Sequence, residues 1–324
     1  MQTAKICLFL IFITFFFVTA SPGAGEKIRV AFIPGQTTDA FYISVYHGVK
    51  RAADALGIDL IYEGASEWSI SKQTAVLDRV IRQKPAVILI SPTDTRQLIA
   101  PLKKAHEQHI KIITLDTYID DGKYQDGTGA GDFPFTHISS DNVYGGRMAA
   151  KTLAEAVGRR GTVYVVKGSP ASTTEMREYG FKTEMKRYRN INILKTRVCR
   201  EDPKLAASQL KQVYAEHPDL GGVFGADLFS AIGAAAGVKD LGKTGKIKVL
   251  AFDATERMEQ EIRSGRIHSA IAQHPMVIGY YGVLCAYGLI TGEGSPLSIG
   301  TGFTVINSAN IDNPANRKYI YSSK

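Results

Sequence analysis

The order of apolar and polar residues along this chain repeats one unit, a short apolar run followed by an amphipathic segment. The unit is clearest over Ile247–Gln273, where IKVLAFD precedes a helical pattern with Met258 and Ile262 on its apolar side, and a second apolar run follows. Apolar runs of this length are typical of parallel strands buried on both faces. Their alternation with helices through short connections predicts right-handed βαβ units around a parallel sheet.

The same pattern extends over most of the chain and predicts two similar α/β halves. Predicted strands lie at Ile28–Pro34, Ile58–Glu63, Ala86–Ser91, Ile110–Leu115, Thr136–Ser140, Thr162–Val166, Ile191–Val198, Gly221–Gly225 and Gly302–Ile306. Predicted helices lie at Phe41–Leu56, Ile70–Gln83, Asp94–His109, Asn142–Val157, Thr173–Tyr188, Pro203–His217, Leu228–Val238 and Pro275–Thr291. The glycine-rich segment Asp120–Asp132 interrupts the pattern, and we expect it to be a loop that leads to the second half. The residues after Ile306 are predicted to form a surface tail.

The first 25 residues have a different character. Lys5 precedes the apolar run Ile6–Val18, which is too short to span a membrane comfortably, and small residues follow at Val18-Thr19-Ala20. This pattern predicts a secretory signal peptide over residues 1–25, removed in the mature protein; an uncleaved anchor is the alternative. We therefore expect the mature protein to be soluble and exported.

Composition and charge narrow the possible functions. The chain is 44% hydrophobic and 22% charged, which is a globular composition. Its net charge of +8 would suit nucleic acid, but the basic residues are scattered and export removes nucleic acid from reach, so we expect none to bind. Cys199 and Cys285 remain after signal removal; they could pair, but we favour buried free thiols because they belong to different predicted elements.

The sequence contains no catalytic or cofactor-binding motif that lies between the predicted elements such a motif requires. Gly237–Thr244 matches the phosphate-loop pattern G-x-x-x-x-G-K-T, but a helix precedes it and a strand follows, the reverse of what that chemistry requires. No arrangement for nucleophilic catalysis has a recognisable neighbourhood, and the histidines show no metal-ligand spacing. The sequence therefore predicts a protein that is not an enzyme and has no metal or cofactor.

Polar and aromatic residues collect where the predicted strands end. In parallel sheets, ligands bind beyond the carboxyl ends of the strands, so these residues are candidates for one binding site. They are Asp39, Phe41, Tyr42, Asp116, Arg177, Glu201, Asp227, Asp253 and Gln273. Carboxylates accept hydrogen bonds from hydroxyl groups, Arg donates several, and aromatic faces cover the apolar side of a sugar ring.

Each candidate also has a structural interpretation. Asp227 or Asp253 could cap a helix, and Phe41 could pack in the core. Trp68, the single tryptophan, could lie at the rim of the site or could equally serve packing. The convergence of so many candidates at one edge favours a polyhydroxylated ligand.

Several motifs occur in an order that resembles a known family. IRVAFIPGQTTDAFY, IITLD, ISSDNVYGGRMAA, MREYGF, VLAFDATE and IAQHPMVIGYYG together resemble the ribose/galactose-type periplasmic sugar-binding proteins of ABC transporters, over about Lys27–Gly292. The resemblance implies the type I fold: two doubly wound parallel-sheet lobes joined by a three-crossing hinge near Thr136–Ser140, Gln273 and Gly300. We expect residues 26–138 with 274–300 to form one lobe, and 139–273 with 301–324 the other.

The resemblance also implies a function. A monomeric receptor would capture a sugar or polyol between its lobes, close, and deliver the ligand to an ABC transporter permease. The alternatives are a sensor that signals to a membrane kinase or chemoreceptor, and a receptor for an amino-bearing ligand. Carried over by motif, the ligand aromatics fall on Phe41 and Tyr42, and the polar ligand contacts on Asp116, Arg177, Asp253 and Gln273.

Some positions depart from the ribose-binding pattern. Asp39 and Asp227 stand where Asn is usual, Thr117 where Arg follows the Asp, and Glu201 where an aromatic residue stacks. The site would therefore be strongly anionic, and buried carboxylates are costly unless ligand donors satisfy them. We expect a different pentose, a polyol or an amino-bearing ligand rather than ribose, and acidic sugars fit worst.

Overall fold

The structure, a computed structural model, describes residues 28–120, 133, 136–169 and 172–322. The expected signal peptide and all but the first residue of the expected loop Asp120–Asp132 lie outside the described residues. The strands are β1 (Arg29–Ile33), β2 (Asp59–Tyr62), β3 (Val87–Ile90), β4 (Lys111–Leu115), β5 (Thr136–Ser140), β6 (Gly161–Lys167), β7 (Ile191–Ile193), β8 (Arg197–Val198), β9 (Leu220–Gly225), β10 (Lys248–Phe252), β11 (Ser269–Gln273), β12 (Ser298–Thr301) and β13 (Phe303–Asn307). The helices are α1 (Ala40–Leu56), α2 (Ile70–Arg82), α3 (Ile99–Glu107), α4 (Asn142–Ala156), α5 (Ser172–Met185), α6 (Pro203–Glu216), α7 (Leu228–Asp240), α8 (Glu256–Arg263), α9 (Pro275–Thr291) and α10 (Pro314–Arg317).

These strands form two sheets. The first has the order β12-β5-β4-β3-β1-β2, with every neighbouring pair parallel. The second has the order β13-β11-β10-β9-β6-β7, with β8 also paired to β6, and only β13 runs antiparallel. The chain passes between the sheets after β5, after β11 and after β12. The two-lobe α/β fold with a three-crossing hinge is therefore confirmed.

Alternation within the apolar strands explains why helices cover both faces of each sheet. In β1, Val30 and Phe32 belong to the core beneath α1 and α9, whereas Ala31 and Ile33 belong to the core beneath α2 and α3. The second sheet is likewise buried between two apolar clusters. A strand with apolar residues at every position can be stable only in such a three-layer arrangement.

Glycine pairs set the closest helix contacts. A Cβ added at Gly48 of α1 would lie 2.0 Å from the carbonyl oxygen of Met276, and one at Gly279 of α9 would lie 2.0 Å from that of Val45. In the second lobe, a Cβ at Gly146 of α4 would lie 2.1 Å from the carbonyl oxygen of Arg177 in α5. These contacts leave no room for a side chain. The α4–α5 contact therefore fixes the position of the Arg177 backbone relative to α4.

Two predicted elements differ from the structure. The helix predicted from Asp94 begins only at Ile99, because the Asp94 carboxylate accepts hydrogen bonds from the backbone nitrogens of Arg96 (2.8 Å) and Gln97 (2.7 Å) and holds them in a turn. The single strand predicted over Ile191–Val198 is wrong as well, since it divides into β7 and β8, which pair with different parts of β6.

The predicted surface tail is exposed or partly exposed over most of its length, but two buried residues anchor it. Ile311 and Tyr321 are 1% and 2% exposed, and α10 lies between them. The strand β12, which was not predicted, adds a sixth, mostly exposed edge strand to the first sheet.

Two other expectations are met, one for the phosphate-loop-like segment and one for the cysteines. The phosphate-loop-like segment begins inside α7 and leads into β10, so the reversed context is confirmed. Cys199 and Cys285 are free and buried, as favoured from the sequence. None of the helices in the described ranges combines the length and apolar character needed to cross a membrane.

Candidate ligand-binding site

A cavity of about 310 Å³ lies where the carboxyl ends of the strands of both sheets face each other. Every site residue predicted from the sequence lines it, namely Asp39, Phe41, Tyr42, Asp116, Thr117, Arg177, Glu201, Asp227, Asp253 and Gln273, together with Trp68. Residues that the sequence did not single out complete the lining: Gln36, Gly168, Ser169, Thr173, Thr174, Leu228, Phe229, Thr255 and Tyr321.

Asp116 follows β4 in a left-handed backbone conformation, with φ of 63°. Asp tolerates this conformation better than most residues, and the sharp turn aims its carboxylate into the cavity. The Tyr42 hydroxyl donates a hydrogen bond of 2.8 Å to Asp116 Oδ2. Burial raises the pKa of Asp116 to about 6, although the Tyr42 hydrogen bond and the positive charge of Arg177 both act to lower it.

Asp253 occupies the equivalent place after β10, with φ of 74°. Gln273 at the end of β11 donates from Nε2 to Asp253 Oδ1 at 2.6 Å. Burial raises the pKa of Asp253, and the charge of Arg177 and this hydrogen bond oppose the rise. Gln273 Oε1 is buried and has no hydrogen-bond partner among the residues that the structure describes. That oxygen is therefore an acceptor suited to a ligand hydroxyl.

Arg177 is held by contacts with its own lobe. Nε donates to Asn142 Oδ1 (2.8 Å), Nη1 donates to the carbonyl oxygen of Ala226 (3.0 Å), and the guanidinium lies 3.8 Å from the centre of the Phe252 ring. No carboxylate in the described ranges forms an ion pair with Arg177 within 4.0 Å. The guanidinium is therefore held in a fixed orientation, and its positive charge is not neutralised by a direct ion pair among the described residues.

Asp39 and Asp227 combine helix capping with cavity lining. Asp39 accepts from the backbone nitrogen of Phe41 at 2.8 Å and caps α1. Asp227 caps α7 through the Ser230 nitrogen (3.0 Å) and also accepts a hydrogen bond from the backbone nitrogen of Gly168. The capping interpretation thus holds for Asp227 but is wrong for Asp253, because Thr255 caps α8.

Aromatic rings form one wall of the cavity. Phe41 and Tyr42 meet edge to face with centroids 5.2 Å apart, and the Trp68 ring lies 6.1 Å from that of Tyr42. Trp68 is 49% exposed, which places it at the mouth of the cavity. A wall of this kind can cover the C–H face of a sugar ring.

Thr117 and Glu201 occupy the outer part of the lining. The Thr117 hydroxyl donates to the carbonyl oxygen of Pro92 at 2.7 Å, which fixes its methyl and oxygen positions. Glu201 has φ of 59°, is exposed, and forms no ion pair with Arg200 in the described part of the chain. Among the described residues, the cavity lining combines the carboxylates of Asp39, Asp116, Glu201, Asp227 and Asp253 with one guanidinium, that of Arg177.

Known proteins share this architecture. The family model described as "Periplasmic binding protein domain" matches residues 30–294. One similar solved structure is the crystal structure of an ABC transporter solute binding protein from Agrobacterium vitis bound with alpha-D-tagatopyranose. Its sequence is 52% identical to this chain, and the TM-score is 0.85. The match covers 91% of this chain and 100% of that one.

More distant relatives carry other sugars in their names. The ribose import binding protein RbsB of Escherichia coli (strain K12) is 28% identical over 276 residues, which are 85% of this chain and 89% of that protein. An ABC transporter periplasmic solute binding protein from Actinobacillus succinogenes 130z with bound D-allose is 25% identical, with a TM-score of 0.80, and the match covers 89% of this chain and 100% of that one.

Proposed function

Because this chain belongs to the periplasmic binding protein family, we infer that it is the sugar-binding receptor of an ABC importer. The observation that carries this inference is the convergence of the predicted polar and aromatic residues in one cavity at the facing edges of two sheets. A volume of about 310 Å³ lies at the small end of the range for ligand pockets, which suits a monosaccharide.

The ligand we propose is a neutral monosaccharide, and D-tagatose is the first candidate. The support is the 52% identical solute binding protein that was crystallised with tagatopyranose. Hydroxyl donors of a sugar would satisfy the buried carboxylate of Asp116 and the partly buried carboxylate of Asp253, and a sugar hydroxyl would also donate to the free oxygen of Gln273. An acidic sugar would add negative charge to an already anionic site, and we expect it to bind worst.

Capture would proceed by closure of two lobes, one of residues 26–138 with 274–300 and the other of 139–273 with 301–324. The membership of the strands in two sheets supports this division. Contacts from both lobes to one sugar would favour the closed form, which the permease recognises. We propose that the protein acts as a monomer in the periplasm, after removal of residues 1–25, and that it releases the sugar unchanged.

A binding screen tests this function. The mature protein is heated with D-tagatose, D-allose, D-ribose, D-arabinose, a polyol, D-glucosamine and D-glucuronate, and hits are titrated by calorimetry. A neutral sugar should raise the melting temperature, because it binds the native state alone. Recovery of the unchanged sugar after long incubation should show no turnover.

A matched pair of variants locates the binding. Asp253→Ala should abolish the shift, whereas Asp59→Ala, which changes an exposed acid at the start of β2, should leave it intact. A shift with D-glucosamine alone would replace the sugar by an amino-bearing ligand. No shift with any compound would contradict the sugar receptor.

A further inference from the structure

The C-terminal segment, residues 308–322, returns from β13 across the second lobe to the cavity. It is fixed along its length: Ile311 is buried in the core of the second lobe, Arg317 pairs with Glu259 (3.2 Å), and the Tyr319 ring stacks on His274 with centroids 3.8 Å apart. The family model matches residues 30–294, so this segment follows the matched region.

Tyr321 joins this segment to the loop that carries Asp253. The Tyr321 nitrogen donates to the carbonyl oxygen of Ala254 at 2.7 Å, and the Glu256 nitrogen donates to the carbonyl oxygen of Tyr321 at 3.3 Å. The backbone of the last described residues thus pairs with the connection between β10 and α8.

The Tyr321 hydroxyl connects two polar strand ends. It accepts a hydrogen bond from the backbone nitrogen of Gln273 at 2.7 Å, and it lies 3.4 Å from Asp253 Oδ1, to which it donates. The side chain is 2% exposed, so neither bond competes with bulk solvent. Asp253 needs such support because its backbone has a positive φ and its carboxylate is partly buried.

The Tyr321 ring extends the aromatic wall across the gap between the lobes. It meets Phe41 of α1 edge to face, with centroids 5.8 Å apart. Tyr321, Phe41, Tyr42 and Trp68 thereby form a continuous series of rings along the cavity. A ring carried by the second lobe thus contacts a ring carried by the first lobe.

We propose that Tyr321 is a positioning residue of the sugar site, whose hydroxyl orients Asp253 and Gln273 toward the ligand and whose ring completes the aromatic wall. The proposal rests on the sugar-receptor function inferred above. The C-terminal segment would then contribute to selectivity between sugars that differ at one hydroxyl. The reason is that Asp253 and Gln273 would form hydrogen bonds with individual hydroxyl groups.

Tyr321→Phe and Tyr321→Ala in the full chain test the proposal, with Tyr319→Phe as the control in the same segment. Trp68 is the only tryptophan, so its fluorescence reports binding of D-tagatose, D-allose and D-ribose at the cavity mouth. Tyr321→Phe should weaken the best sugar about tenfold, as expected for a lost hydrogen bond to a charged group. Tyr321→Ala should weaken it about a hundredfold, and Tyr319→Phe should stay within about twofold.

Selectivity separates positioning from general packing. Tyr321→Phe should change the ratio of affinities for the three sugars, which a uniformly loosened structure would not do, and calorimetric unfolding should show that the variant remains folded. Unchanged affinity and selectivity in Tyr321→Phe, or an equal loss in Tyr319→Phe, would overturn the proposal while the receptor function stands. Failure of the unmodified protein to bind any sugar would overturn both.

Discussion

Asp116 is a carboxyl group whose negative charge is poorly stabilised because the side chain is buried. Burial raises its pKa from 3.8 to about 6, against the opposing effects of Tyr42 and Arg177. A carboxyl whose folded pKa is raised contributes stability that is fully present below about pH 4 and lost as the pH rises through 6. Sugar hydroxyls donate hydrogen bonds and therefore favour the ionised form.

Affinity for the sugar should consequently fall as the pH drops below about 6, by up to about tenfold per pH unit for one site. Calorimetric titrations between pH 7.5 and 5 measure this. Asp253, whose pKa is also raised, adds to the effect, whereas His137 and His274 do not titrate in this range, because burial lowers their pKa values to about 3 and about 4.

Asp116→Asn provides the matched variant. The variant should bind the sugar more weakly and lose most of the pH dependence of its affinity. Its free energy of unfolding at neutral pH should be up to about 3 kcal/mol higher, because the buried charge is gone. A flat pH profile in the unmodified protein would contradict the role assigned to Asp116.

At the same scale, the sequence predicted the strand-end residues well and Tyr321 not at all. Asp116 and Asp253 each follow a continuous apolar strand, so their place at the sheet edge follows from local pattern. Tyr321 reaches the cavity only through tertiary pairing with the Ala254 backbone, which no periodicity reveals. The apolar run Tyr319-Ile320-Tyr321, unexpected in a surface tail, was the available signal.

Among the elements, the α4–α5 contact connects packing to the site. Gly146→Ala would place a methyl group 2.1 Å from the Arg177 carbonyl oxygen, so α5 would have to move. We expect a loss of about 1–3 kcal/mol in stability and at least about tenfold in sugar affinity, since Arg177 moves with its helix.

Gly221→Ala is the control for this prediction, because a Cβ there meets nothing closer than 3.8 Å. Chemical denaturation and calorimetry of both variants would check it. Normal sugar affinity in a destabilised Gly146→Ala would show that the contact serves packing alone.

Long apolar elements were predictable, and edge elements were not. The strands β1, β3 and β10 are buried on both faces and their sequences show it. β12 is an exposed edge strand that includes Gly300 and follows Pro296, so its sequence lacks a strand pattern and only its pairing with β5 defines it. The late start of α3 depended on the side-chain turn at Asp94, which competes with the helix.

For the whole molecule, binding should be accompanied by a change of shape. Small-angle scattering with saturating sugar should give a smaller radius of gyration than the protein alone, because contacts from both lobes favour closure. Arg177→Met, which keeps much of the packing over Phe252 but removes the donors, should show no change at the same sugar concentration. An identical radius with and without sugar in the unmodified protein would contradict capture by closure.

The path of the chain also governs when this protein can fold. The first sheet needs β12, and α1 needs the glycine contact with α9, yet both partners come from residues 275–301. The last segment, around Tyr321, then completes the cavity from the other lobe. An emerging chain therefore cannot finish its N-terminal lobe until nearly all of it has been synthesised. That order makes completion of the cavity one of the final events of folding.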